Sequence, residues 1–258
     1  MKQNGVITEM SGSVCIIRID RPETNNKLSI PCMSEVKRVL EEKAADAACR
    51  SVIIAGGDEF FCSGGELGDF RKKSPMEIKE FGAAFIRLHT AIVHFPKPVI
   101  AAVEGNAFGG GFSLVEACDL AVGAEDALFA IPEILGGLAP AMGLSGIFSQ
   151  MTKKEVMAIG LMGETLTSEQ VLKSGILNCV VLKQDVMDKA IEIGNFFEDK
   201  SPTAVKLFKE LYTDMGMNDY ENRLHMGQSM MVTLFKSVDG MEVLQAKEEN
   251  RTPKWCGK

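Results

Sequence analysis

Four short apolar segments dictate what this chain can fold into: VCIIRI (14–19), SVIIAGG (51–57), PVIAAVEG (98–105) and DLAVGAE (119–125), each bounded by turn residues. Runs this apolar, rich in Val, Ile and Ala, read as strands buried on both faces, the habit of parallel sheets. Between the first two, SEVKRVLEEKAAD (34–46) places Val36, Val39, Leu40 and Ala44 on one face with charges opposite, the pattern of an amphipathic helix. EIKEFGAAFIRLHTAIVHF does the same between the next two. A chain that alternates in this way is an α/β protein. A late strand is expected at NCVVL, introduced by a helix that Thr167 caps with Gln170 reaching back.

The last sixty residues carry helical segments and no strand. Ser201 and Asp239 are N-cap candidates there, and Pro202 suits the first helical position. The division expected is a core over 1–200 that holds the active site, and a helical region over 201–258 that serves as a lid or an oligomer arm.

Composition sets limits on function. The net charge of −7 and the lack of any dense Lys/Arg block argue against nucleic acid as a partner. No run of about 18 apolar residues is present to span a bilayer, and the first residues lack the apolar core of a secretion signal, so a cytoplasmic protein is expected. The seven cysteines, odd in number and without CxxC, fit reduced thiols, with Cys15 and Cys118 in the core. Three histidines in no ligand spacing lead to the expectation of no metal.

Two glycine-rich turns each follow a strand. EGNAFGGGFSLVEACDLAV (104–122) carries Gly109, Gly110 and Gly111 where a helix begins, and FCSGGELGDF carries Gly64 and Gly65. Bare backbone there exposes N–H groups to an approaching anion. Two such turns on one sheet can aim one amide each at a shared oxygen, as an oxyanion hole does; taken singly, such turns are usually no more than tight connections. In ALFAIPEILGGLAPAMGLSG (127–146), Glu133 stands alone between apolar runs, where a carboxyl is expected to have a raised pKa useful for taking up and returning a proton; the alternative is a solvated loop acid, as one beside a proline often is.

The order of these motifs resembles the crotonase, or enoyl-CoA hydratase/isomerase, superfamily. RPETNNKLS is similar to its RPxxxNALN segment, FCSGGEL to its F[AS]AG[AG]D[IL] turn, EGNAFGGGFSLVEACDLAV to its GxAxGGGxxLxxxCDxxxA stretch, and FAIPEILGGLAP to its FxxPExxxGxxPxxG segment. The resemblance covers essentially the whole chain. It implies a spiral of ββα repeats with a helical C-terminal trimerisation region, and a trimer or dimer of trimers. It also implies acyl-thioester substrates, generally of coenzyme A carried as part of the substrate, with no separate cofactor. By this resemblance the amides of Gly65 and Gly110 form the oxyanion hole and Glu133 is the acid/base. Ser63, Gly65, Glu66, Leu67, Gly68, Gly110 and Ser113 are then the substrate-binding positions.

The chain departs from that pattern in ways that bear on the reaction. Hydratases of the family place a second glutamate where this chain has Ser113, so one-carboxylate isomerisation of a 3-enoyl thioester is favoured over hydration. Glu116, one turn beyond Ser113, reads as a polar contact beside the site or between subunits. Glu66 replaces the usual Asp, and the nearest cations to Gly68 are Arg71, Lys72 and Lys73, so the acyl carrier is either coenzyme A or a carrier protein. RPETNN is also similar to members that process carrier-bound intermediates in polyketide β-branching, some of which decarboxylate with a Lys or His donor. His225 is the candidate donor here, with a packing role as its plainer reading; His89 and His94 read as structural. Decarboxylation or another lyase step, hydration, and thioester binding without catalysis remain the alternatives.

Overall fold

The computed structural model describes residues 2–66, 68, 72–140, 142–144, 147–215, 233 and 237–257. The chain opens with an antiparallel meander of β1 (Lys2–Gln3), β2 (Val6–Ser11) and β3 (Val14–Ile19). A 3-10 turn, Pro22–Thr24, leads to α1 (Ile30–Ala45), whose start is fixed by the Ser29 hydroxyl accepting from the Cys32 amide.

One unit then repeats three times, two strands followed by helix. The first is β4 (Ser51–Ala55), β5 (Phe60–Cys62) and α2 (Pro75–Val93). The second is β6 (Val99–Val103), β7 (Asn106–Phe108) and α3 (Gly110–Ala117). The third is β8 (Leu120–Ala124) and β9 (Leu128–Ala130), then a 3-10 turn, Pro132–Gly136, before α4 (Ile147–Gln150) and α5 (Lys153–Met162). After these come β10 (Thr165–Thr167), α6 (Ser168–Lys173), β11 (Cys179–Val181), α7 (Val186–Asn195), α8 (Pro202–Met215) and α9 (Val238–Glu248).

The strands separate into two sheets. Among the described residues the larger has the order β1-β2-β3-β4-β6-β8-β11, with β3, β4, β6, β8 and β11 parallel. The smaller runs β10-β9-β7-β5, so the second strand of each repeat stacks beside the second strand of the next. This is the spiral of ββα repeats. Every residue of β4 and β6 is buried, and Val52, Ile53, Ile54, Val99 and Ile100 are fully enclosed. Burying each such side chain contributes about 1.5–3 kcal/mol.

The four apolar segments are the parallel core as expected, and NCVVL lies on the sheet edge as β11. Thr167 and Gln170 form the expected capping box at α6. Ser201 caps α8 through its hydroxyl and the Ala204 amide, 3.2 Å apart. Asp239 is a correction. It is not the cap of α9, which the Ser237 hydroxyl supplies to the Gly240 amide at 2.9 Å. Asp239 instead accepts from the Ser201 and Thr203 hydroxyls and from the Cys256 and Gly257 amides, tying the end of the chain to the start of α8. All seven cysteines are free; Cys15 is buried and Cys118 half-buried. No helix among the described residues is long and apolar enough to cross a membrane.

Candidate active site

The smaller sheet decides which loops meet. Phe108 of β7 stands opposite Ala130 of β9, and Ala107 opposite Cys62 of β5. The three strands are parallel, so the turns leaving their C-terminal ends lie side by side: Ser63 to Glu66 after β5, Gly109 and Gly110 after β7, and Glu133 after β9. One hydrogen bond fastens two of them, from the Gly109 amide to the Ala130 carbonyl at 2.8 Å.

The glycine triplet meets distinct demands. Gly109 has φ 51° and ψ −120°, a backbone conformation closed to ordinary side chains. Gly111 packs so closely on β5 that a β-carbon there would lie 2.0 Å from the Cys62 carbonyl oxygen. Gly110 is the first residue of α3, so its N–H belongs to the helix start that lacks an intrahelical acceptor.

Gly65 offers its N–H for a different reason. It forms a parallel bridge with Leu28. That bridge uses the Gly64 carbonyl, 2.8 Å from the Leu28 amide, and the Glu66 amide, 2.9 Å from the Leu28 carbonyl. Since neighbouring peptide groups along an extended chain alternate in direction, the Gly65 N–H points away from Leu28. Neither the Gly65 nor the Gly110 amide takes an acceptor among the described residues outside the helix. The two turns approach closely, a β-carbon on Gly110 lying 3.6 Å from the Gly65 nitrogen. The rings of Phe81 and Phe85 from α2 pack over Gly65 and Gly110 respectively, giving the turns an apolar wall.

Glu133 lies against this pair. Its Oε1 is 2.9 Å from where a Gly109 β-carbon would stand and 3.6 Å from the same point on Gly143. Its Oε2 is buried and without a partner among the described residues. Burial therefore raises the carboxyl above its ordinary value. A carboxylate beside two free amides at the ends of three parallel strands can carry a proton to or from a group whose oxygen those amides hold.

Of the other expected positions, Ser113 is buried at 3% exposure and its hydroxyl is committed to protein, donating to the Gly143 carbonyl at 3.0 Å with the Gly109 carbonyl at 3.4 Å. Glu66 is held by Arg21, whose Nη2 is 2.7 Å from its Oε2. Ser63 donates its amide to the Asn25 carbonyl at 3.1 Å. Gly68 is exposed with φ 71°, while Leu67 lies outside the described residues, as do Arg71 and His225. Lys73 Nζ is 3.8 Å from Glu77 of α2. His89 stacks on Phe85 at 3.8 Å between centroids and its Nδ1 bonds the Phe85 carbonyl at 2.9 Å; His94 ends α2.

Sequence reasoning missed the supports. Asn26 receives the Arg21 amide at 2.7 Å and donates to the Phe60 carbonyl at 2.7 Å, so RPETNN is the brace of the Gly65 turn. Its only signal was the two adjacent asparagines, both of which adopt positive φ. Phe81 and Phe85 carried no signal, because their places depend on helix docking, and Gly143 showed only as the last glycine of the FxxPExxxGxxPxxG pattern.

Comparison with known proteins agrees with this geometry. The family model described as enoyl-CoA hydratase/isomerase matches residues 9–258. The chain is 28% identical to a short-chain-enoyl-CoA hydratase of Clostridium acetobutylicum, over 97% of each chain. It is 31% identical to a carnitinyl-CoA dehydratase of Proteus mirabilis, over 96% of each. Its fold superposes on a crystal structure of an enoyl-CoA hydratase from Bacillus anthracis with a TM-score of 0.91, 26% identity, and coverage of 98% of this chain and 100% of the other. With the ββα spiral, the paired glycine turns and a family match across nearly all its length, the chain belongs to the enoyl-CoA hydratase/isomerase family.

Proposed function

We propose that the site holds an acyl thioester, its carbonyl oxygen between the amides of Gly65 and Gly110, and that Glu133 moves a proton at the α-carbon. One observation carries this reading: the Glu133 carboxylate lies beside the two amide turns with an unpartnered, buried oxygen. When the α-proton leaves, negative charge gathers on the thioester oxygen. Donors fixed at that point need no reorganisation, and each is worth on the order of 10²–10³ in rate. Coenzyme A enters as part of the substrate, in keeping with the CoA esters named for the relatives.

The reaction this site supports best is movement of a double bond from C3 to C2 of the acyl chain. Glu133 takes the proton from C2 of a 3-enoyl thioester, the amides hold the dienolate, and Glu133 returns the proton to C4. No second base is required, which fits a Ser113 hydroxyl already given to Gly143. Hydration or dehydration is the second reading, favoured by the hydratase and dehydratase names of the relatives.

The deciding assay follows ultraviolet absorbance of CoA thioesters. A 3-enoyl-CoA is expected to gain the absorbance of the conjugated 2-enoyl product, and Glu133→Gln to lower kcat on the order of 10²–10⁴-fold. Because the base must be ionised and burial raises its pKa, the rate rises with pH through that raised value. Loss of conjugated absorbance from a 2-enoyl-CoA faster than its formation from the 3-enoyl isomer favours hydration. Inactivity on both overturns the enoyl-CoA reading and turns attention to decarboxylation or a carrier-protein substrate; a rate that survives in Glu133→Gln would point to the former.

A further inference from the structure

Glu116 is a carboxyl the chemistry above does not use. It sits on α3 one turn beyond Ser113, is 9% exposed, and neither of its oxygens has a hydrogen-bond partner among the described residues. The Ile147 backbone N–H at the start of α4 acts on this carboxyl, opposing the effect of burial. A buried carboxyl left unpaired is costly even when neutral, and far more so when charged.

What it faces gives it a consequence. Two described residues link the Glu133 carboxylate to Glu116: Gly143 packs on Glu133 Oε1 and its carbonyl receives the Ser113 hydroxyl, and the Ile147 amide acts on Glu116. Ser113 and Glu116, three residues apart on a helix, therefore hold neighbouring parts of one segment. We propose that Glu116 is a positioning residue for Glu133: uncharged, it lets Gly143 and Ile147 pack against α3, and ionised, it draws water between them and shifts the backbone on which the Glu133 carboxylate rests.

Other titratable groups around α3 are separable from it. Glu133 titrates as the base and governs the acid side of the profile. His89, from α2, is pushed down by burial. Cys62, from β5, is pushed up to about 12, and Cys118 at the end of α3 is raised as well. Asp119 beyond it is neutralised by Lys209 at 2.6 Å, and β7 and the described part of 142–147 present no titratable side chain. Burial pushes Glu116 well above the usual carboxylate range.

This inference rests on Glu133 as the acid/base, and its test separates the two. The rate of α-deuteron exchange from a 2-deuterated acyl-CoA is measured against pH for wild type, Glu116→Gln and Glu116→Leu, with Tm over the same range. Wild type is expected to lose about tenfold per pH unit on the alkaline side, and both neutral variants to stay flat there. The native state keeps a proton that the unfolded chain releases, so wild-type Tm falls from the usual carboxylate pKa upward while Glu116→Gln lacks that slope. An alkaline limb unchanged in both variants, or matching Tm profiles, overturns the proposal. Loss of exchange by more than about a hundredfold at every pH in Glu116→Gln also overturns it, since a direct proton-transfer role would then be at work. Wild type that exchanges no deuteron at any pH removes the Glu133 reading, and this proposal with it.

Discussion

Single residues at this site are fixed by close approach more than by their own chemistry. Gly111 is the clearest case, with no space for a methyl group between α3 and the carbonyl of Cys62. Gly111→Ala is expected to destabilise the fold by about 3 kcal/mol, because the start of α3 must move off β5; urea unfolding measures it, and a change within error would show that α3 is free to shift. The same movement carries the Gly110 amide, so the variant is also expected to lose activity out of proportion to its stability. Of the candidate site, the two glycine turns and the lone Glu133 were legible from residue type and context, and the family resemblance singled out Gly65 and Gly110. Ser113 was legible only as a gap in a motif. That its hydroxyl is spent on Gly143 depends on thirty residues of intervening chain.

Among elements, the long segments announced themselves and the short ones did not. β4, β6 and β8 are five-residue strands, apolar but for Ser51 and Gly123, and α1 and α2 repeat their apolar face over many turns. The strands of the smaller sheet have three residues each, too few for a period of two to register. Yet this sheet aligns the three loops of the candidate site. The C-terminal helices pose a related question, of what ties them to the core. Lys209 of α8 reaches Asp119 at 2.6 Å and the Lys97 carbonyl at 3.0 Å, and Asp119 also receives the Val99 amide at 2.7 Å. The lysine is 10% exposed and the aspartate 28%, so the pair is only partly desolvated. Lys209→Met is expected to cost about 2 kcal/mol. Combined with Asp119→Asn in a double-mutant cycle, it should show coupling of about 1 kcal/mol; additive effects would mean that α8 docks without this contact.

For the whole molecule, the surface carries apolar side chains that a solvated monomer has little reason to expose. Leu135, Leu161 and Met162 lie on the 132–136 turn and α5, and Phe208 and Tyr212 on α8. We take them as faces covered by further copies of the chain, in line with the trimer or dimer of trimers that the family resemblance implies. Light scattering on the purified protein is expected to give three or six chain masses; a monomer at micromolar concentration would defeat that reading and leave residues 201–258 as a lid alone.

The sequence by itself determined the parallel core, the amphipathic helices around it, the two amide-presenting turns and the lone acid. Each of these is a local property, set by apolar periodicity, by glycine, or by a charge among apolar neighbours. Tertiary structure alone decided that the three loops converge, that the Ser113 hydroxyl donates to Gly143, and that Glu116 is buried without a partner among the described residues. Those facts depend on which strand lies beside which, and three-residue strands acquire their neighbours only when the spiral closes and the core is buried.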